Sequence, residues 1–248
     1  MNIALILSGG TGKRMGLDLP KQYVTVNGRP ILLYSLETIA SDGKIDGIQI
    51  VSEISWQGRI EEWMDGMDRL LADQGRSIRK KFRGFSMPGE NRQLSILNGL
   101  RDICGYASKE AFVFIHDAAR PLLSHEQIRD CFAAAEGHDG VLPVLPMKDT
   151  VYYSGDGREV SLLEREKIFA GQAPEVFRLG PYLDASERLL PEKILQVNGS
   201  TEPAVLAGLD VVMIPGDERN FKITTKEDLE RFRQITTEGR SLKEGVSD

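Results

Sequence analysis

Near the start of the chain stands Ser8-Gly9-Gly10-Thr11-Gly12, followed at short offsets by Arg14 and Lys21. Glycines in such a run let the backbone turn tightly and bring its N–H groups against a ligand. Donors of that kind with cations close by suit a triphosphate, and Pro20 fixes the backbone just ahead of Lys21. An ordinary strand-to-helix glycine turn has the same composition. Two familiar phosphate loops do not fit. A P-loop needs Ser or Thr after its Lys, and Lys13 is followed by Arg14. The dinucleotide fingerprint needs a third glycine where Met15 stands. Further blocks able to do chemistry are Gly89-Glu90-Asn91-Arg92-Gln93-Leu94-Ser95, His116-Asp117-Ala118-Ala119-Arg120-Pro121, Lys148-Asp149-Thr150 and Asn220-Phe221-Lys222-Ile223-Thr224. Lys222 lies between Phe221 and Ile223, which should be buried and so argue against a plainly solvated charge. Asp117, after a strand and ahead of Arg120, reads equally well as a structural residue, a helix cap or an ion pair with Arg120, or as a functional one.

Elements must place these blocks. Apolar spacing predicts strands over 3–7, 45–51, 80–85, 111–115, 141–145 and 211–214, and helices over 31–39, 56–74, 94–103, 182–190 and 225–235. Another helix starts at the N-cap Ser124, with Gln127 at the capping-box position, and runs through Ala135. The alternation implies an α/β fold, a mostly parallel sheet with helices on both faces. Ligands then bind beyond the carboxyl ends of the strands, where the glycine loop, the His116 block and the Lys148 block fall. Residues 150–164 differ in kind: Val151-Tyr152-Tyr153 and Glu159-Val160-Ser161-Leu162-Leu163 flank a Gly/Asp turn and read as a projecting hairpin. A two-stranded arm is marginal alone, so a partner, most simply a second copy, is expected to cover it. The chain reads as one domain over 1–235 with a flexible tail over 236–248.

Composition narrows the possible functions. The chain has 248 residues, is 41% hydrophobic and 27% charged, and carries a net charge of −6. That balance argues against a nucleic-acid surface. No apolar run is long enough to span a membrane, and the first residues lack the pattern of a signal peptide, so the cytoplasm is the default location. Cys104 and Cys131 fall in helical stretches and read as small buried hydrophobes, while the three histidines have no ligand spacing.

The opening Ser-Gly-Gly-Thr-Gly-Lys-Arg-Met-Gly with Pro-Lys-Gln resembles that of the CTP-dependent cytidylyltransferases acting on methylerythritol phosphate and ribitol phosphate. The resemblance extends in order through G-x-x-R-x-x-S at 89–95, the intact HDAARP at 116–121, Asp149-Thr150, and N-x-K-x-T at 220–224. It implies a Rossmann-like, glycosyltransferase-A-like nucleotidyltransferase that joins CTP to an alcohol phosphate and releases pyrophosphate. It also implies the roles of the residues. Arg14, Lys21 and Lys222 would be catalytic. Ser8, Gly9, Gly10, Thr11, Gly12, Gly89, Glu90 and Ser95 would bind CTP. Asp117, Arg120, Thr150, Ala173, Asn198 and Ser200 would meet the acceptor, with Arg165 reaching a partner's site across a homodimer. Mg²⁺ would accompany CTP, with Asp117 as its protein ligand. Two departures stand out: Ala173-Pro174-Glu175 where relatives usually have Thr-Pro-Gln, and Asn198-Gly199-Ser200 where they usually have a threonine-led Thr-Asp pattern. Lost hydroxyls on the acceptor side should shift substrate choice. Competing readings are a nucleotide-binding regulatory relative and a transferase using another nucleoside triphosphate.

Overall fold

The computed structural model describes residues 1–10, 16 and 19–244, with side chains as far as Glu238. In chain order the elements are β1 (Asn2–Leu7), β2 (Thr25–Val26), β3 (Arg29–Pro30), α1 (Ile31–Ser41), β4 (Gly47–Val51), α2 (Ile54–Leu71), β5 (Phe82–Ser86), α3 (Arg92–Cys104), β6 (Phe112–Asp117) and α4 (His125–Ala134). They continue as β7 (Gly140–Pro146), β8 (Tyr152–Tyr153), β9 (Ser161–Leu162), β10 (Phe169–Gly171), β11 (Glu175–Arg178), α5 (Leu179–Glu187), α6 (Glu202–Leu206), β12 (Val211–Pro215) and α7 (Lys226–Glu244). The strands β5-β4-β1-β6 form a parallel core. Beyond it β11 pairs antiparallel with both β6 and β7, β10 pairs antiparallel with β7, and β12 runs parallel to β7.

Alternation along β1 explains the layers. Ala4 and Ile6 face one side, where they pack with Leu32 and Leu36 of α1, Ile60 and Met64 of α2 and Ile128 of α4. Ile3 and Leu5 face the other, against Ile96 and Leu100 of α3 and Tyr182 of α5. A strand buried on both faces reads as a continuous apolar run, as Ile3-Ala4-Leu5-Ile6 does. Each such side chain contributes roughly 1.5–3 kcal/mol when fully buried. A smaller cluster of Val26, Ile31, Ile223, Leu229 and Phe232 ties α7 to the β2–β3 hairpin.

Several elements differ from the sequence-based expectation; among them β2, β3, β10 and α6 are too short to show a period in the sequence. β11 was not foreseen, because only Val176 and Phe177 are apolar and a glutamate and an arginine bracket them. The last helix, expected over 225–235, runs on to Glu244; a single Gly239 costs only about 1 kcal/mol against the helix-forming residues around it. The hairpin β8–β9 forms a separate two-stranded sheet, with Tyr152 opposite Leu162 and Tyr153 opposite Ser161. Tyr152, Tyr153, Val160 and Leu162 on it are all exposed.

Candidate active site

The carboxyl ends of β1, β5 and β6 open on a cavity of about 490 Å³. Gly9, Gly10, Lys21, Gly89, Glu90, Ser95, Asp117 and Lys222 line it, as do Glu53, Arg92 and Thr224. Thr11, Gly12 and Arg14 lie outside the described residues.

The glycine loop is held from behind. The buried amide of Gln22 donates to the carbonyls of Ser8 at 2.7 Å and Gly10 at 2.8 Å. Tyr23 Oη donates to the Ser8 carbonyl at 2.9 Å and accepts from the Ser8 hydroxyl at 3.0 Å. Ser8 is therefore spent on internal bonds and does not line the cavity. Gly9 is a true close approach, since a Cβ there would sit 2.6 Å from Pro88 Cβ. Lys21 begins the single turn of helix that also supplies Gln22 and Tyr23, so the cation and its loop are one unit.

A second loop faces the first. A Cβ on Gly89 would lie 2.3 Å from Leu94 Cβ, so only glycine lets the chain fold onto the start of α3. The Ser95 hydroxyl accepts from Gly89 N–H at 3.0 Å and donates to the Asn91 carbonyl at 2.8 Å. Asn91 caps α3, accepting from Leu94 N–H at 2.8 Å. Ser95 thus shapes the loop that presents Glu90 and the Gly89 backbone to the cavity.

The third wall is a charge cluster. Asp117 ends β6 at 6% exposure. Its Oδ1 accepts from Arg92 Nη2 at 3.2 Å and Nε at 3.3 Å, and its Oδ2 lies 3.0 Å from Lys222 Nζ and 3.4 Å from Arg120 Nε. Burial alone would raise the Asp117 carboxyl; Arg92, Lys222 and Arg120 outweigh it and hold it well below the usual carboxylate range. Both oxygens are occupied by cations. Among the described residues no group of three or more His, Cys, Asp or Glu is placed to hold a metal. Among the described residues no all-protein metal site is formed, and the Asp117 carboxylate is already paired with three cations.

Lys222 is positioned by its neighbours. Ile223 is fully buried, and its N–H donates to the Ala119 carbonyl at 2.9 Å. Asn220 is also fully buried; its amide donates to Gln127 Oε1 at 3.0 Å and to the Ala173 carbonyl at 2.9 Å. Gln172 joins the network, accepting from Gln127 Nε2 at 3.1 Å and donating to the Asp217 carbonyl at 2.9 Å. Arg120 Nη1 donates to the Asn220 carbonyl at 2.8 Å. His116 is held neutral, its pKa pushed down by burial to about 4, and its Nε2–H donates to the Arg120 carbonyl at 3.0 Å.

The expected acceptor residues divide. Asp117 lines the cavity, and Arg120 stands behind it, paired with its Oδ2. Ala173 and Ser200 are buried behind it, with the Ser200 hydroxyl donating to Glu175. Asn198 is exposed and bonds the Gln196 carbonyl at 3.2 Å, away from the cavity lining. Thr150 and Arg165 are exposed at the base of the hairpin, where Arg165 Nη1 donates to the Lys148 carbonyl at 3.3 Å. Within one chain they do not reach the cavity lining. Sequence reasoning missed Arg92, Glu175, Gln22 and Asn220 as site-building residues. Arg92, Gln22 and Asn220 each stand inside a motif read for another member, and a buried amide leaves no periodic signal.

A loop of backbone donors facing four cations, of which Lys21, Arg92 and Lys222 touch the cavity and Arg120 stands behind Asp117, is a site for phosphoryl chemistry. The chain matches the family described as IspD, 2-C-methyl-D-erythritol 4-phosphate cytidylyltransferase, over residues 2–238. It is 35% identical to a 2-C-methyl-D-erythritol 4-phosphate cytidylyltransferase of Geobacter metallireducens, covering 91% of this chain and 93% of that protein. It is 27% identical to a ribitol-5-phosphate cytidylyltransferase of Streptococcus agalactiae, covering 95% of both. In fold it is similar to the crystal structure of 4-diphosphocytidyl-2C-methyl-D-erythritol synthase from Anaerococcus prevotii, with a TM-score of 0.78 at 23% identity over 95% of this chain and 96% of that one. With its glycine loop, its HDAARP strand end and its Lys222 loop all meeting at one cavity, the chain belongs to the 2-C-methyl-D-erythritol 4-phosphate cytidylyltransferase family.

Proposed function

We propose that this chain is a cytidylyltransferase that moves CMP from CTP to the phosphate of a polyol phosphate, forming a CDP-alcohol and releasing pyrophosphate. The observation that carries this is the meeting of the Gly9–Gly10 loop and Lys21 with the Arg92–Asp117–Lys222 cluster across one cavity. The acceptor's phosphate oxygen attacks the α-phosphorus in line with the departing pyrophosphate. Negative charge gathers on the non-bridging oxygens, where Lys21 and Lys222 stabilise it. The glycine loop donates N–H groups to the leaving phosphates, and Arg14 is assigned to the same side. Gly89 and Glu90 present the face for the cytosine and ribose. Mg²⁺ is proposed only as the counter-ion that CTP brings with it, and no step is assigned to it.

Among possible acceptors we favour a polyol phosphate other than 2-C-methyl-D-erythritol 4-phosphate. Ala173 has no hydroxyl, the Ser200 hydroxyl is spent on Glu175, and Asn198 turns outward. A pyrophosphate-release screen of the four nucleoside triphosphates against 2-C-methyl-D-erythritol 4-phosphate and a panel of pentitol, tetritol and triitol phosphates tests both levels. Turnover confined to CTP is expected. A kcat/KM for the methylerythritol compound at or above that for every other polyol phosphate of the panel overturns the acceptor choice alone; absence of CTP-dependent turnover with all of them overturns the function.

The active form is proposed to be a homodimer joined through the β8–β9 hairpin, whose exposed Tyr152, Tyr153, Val160 and Leu162 need cover. Arg165 then completes the partner's acceptor site. Cys104 and Cys131 are both free thiols, which suits the reducing cytoplasm where we place the enzyme. No helix among the described residues is long and apolar enough to cross a membrane.

A further inference from the structure

Glu175 opens β11 at 7% exposure, and the chemistry outlined above requires no carboxylate there. Its Oε1 accepts from the Ser200 hydroxyl. Its Oε2 has no hydrogen-bond partner and lies 3.7 Å from Arg92 Nη2. Arg92 therefore stands between two carboxylates, Asp117 and Glu175, while it lines the cavity. With Glu175 ionised, the cluster of Arg92, Arg120, Lys222, Asp117 and Glu175 is one unit positive; with Glu175 neutral it is two.

We propose that Glu175 is a positioning residue that sets how tightly the acceptor's phosphate is held: its charge, relayed through Arg92, halves the net positive charge facing an anionic acceptor. The proposal rests on the CMP-transfer reading. Its physical basis is that a charge buried this close to the cavity is poorly screened. Holding acceptor and transition state more tightly by the same amount lowers KM without speeding the chemical step. Glu175 therefore acts on KM. The groups that face it are Arg92 from α3, Asp117 and Arg120 from the end of β6, Tyr182 from α5, Cys131 from α4 and the Ser200 hydroxyl before α6. Burial raises its pKa by more than Arg92 and Ser200 lower it. Glu175 thus takes up its proton at a higher pH than an exposed glutamate does.

The test is steady-state kinetics of Glu175→Gln with CTP and the acceptor that the wild type uses, across pH. The amide can turn its oxygen to Arg92 and its NH₂ to the Ser200 hydroxyl, which accepts as readily as it donates. The acceptor KM should fall roughly three- to tenfold, with kcat moving less. The ratio of wild-type to variant KM should rise with pH as Glu175 ionises in the wild type. Equal KM values across pH, or a variant KM above the wild type's, overturn the proposal while wild-type turnover leaves the CMP-transfer reading standing. A wild type that fails to use CTP overturns both. Should Glu175→Gln not fold, Ser200→Ala serves in its place. It removes the donor to Oε1, so the drop in KM must appear at higher pH than in the wild type, and a Ser200→Ala profile matching the wild type's sinks the idea.

Discussion

At the scale of single residues, Asp117 holds three cations in one corner, and two of them face the cavity. Lys222→Ala should lower kcat by at least about a hundredfold, since a positioned donor to developing charge is typically worth that much. Lys21→Ala should do the same from the opposite wall. Both variants should keep the wild-type circular dichroism spectrum, and near-wild-type turnover in either would remove that lysine from the chemistry. His116 makes a different prediction. Its folded pKa, about 4, lies below the ordinary value of 6.5. A group depressed on folding contributes fully above its unfolded pKa, and the contribution is lost as pH falls toward the folded one. Unfolding free energy should therefore drop by about 2–3 kcal/mol between pH 7.5 and 4.5 on this account. Urea unfolding at the two pH values measures it, and His116→Gln should flatten the dependence. Asp117 adds little loss in that window, because the unfolded chain takes up this proton only near its ordinary value of 3.8 and below.

At the scale of elements, the start of α3 is the part of the site with least room. Gly89→Ala would drive a methyl group against Leu94 and the backbone of Ser95. The expected result is a loss of about 1–3 kcal/mol in stability and a raised KM for CTP with the acceptor KM little changed; the two KM values, measured separately, decide. Legibility in the sequence followed the same division. Strands buried on both faces announce themselves as apolar runs, so β1, β4, β6 and β7 were readable, as were the motifs at their ends. β11 was not, because Glu175 serves the site and Arg178 stacks on Phe112, leaving two apolar residues to mark the strand. The Gln127–Gln172–Asn220 network was also invisible, since buried amides are identified by their partners and those partners lie far apart in the chain.

For the molecule as a whole, the proposed assembly rests on the hairpin. It is a sheet of its own, exposed on its apolar residues, and it contributes nothing to the cavity lining of its own chain. Replacing Tyr152 and Leu162 together with serine should yield monomers in sedimentation and lower activity, while the thermal stability of the main sheet changes little. A fully active monomer would remove both the arm and the trans role of Arg165.

The insertion of β11 between β6 and β7 has a consequence in time. Parallel strands β1, β4, β5 and β6 and helices α1 to α3 come from the first half of the chain. The slot beside β6 is filled only after the chain has run out through β7, turned through the hairpin and come back. Pairings so distant in sequence form late, because the loop they close must be ordered first. On a ribosome the glycine loop and the Gly89 loop would therefore be made before Glu175, Ser200 and Lys222, and the start of α3 would wait for Tyr182, Ser186 and Ile194, the partners of Gln93 and Asn91. The site is thus begun by the first half of the chain and closed by its last third, which brings Lys222 to Asp117.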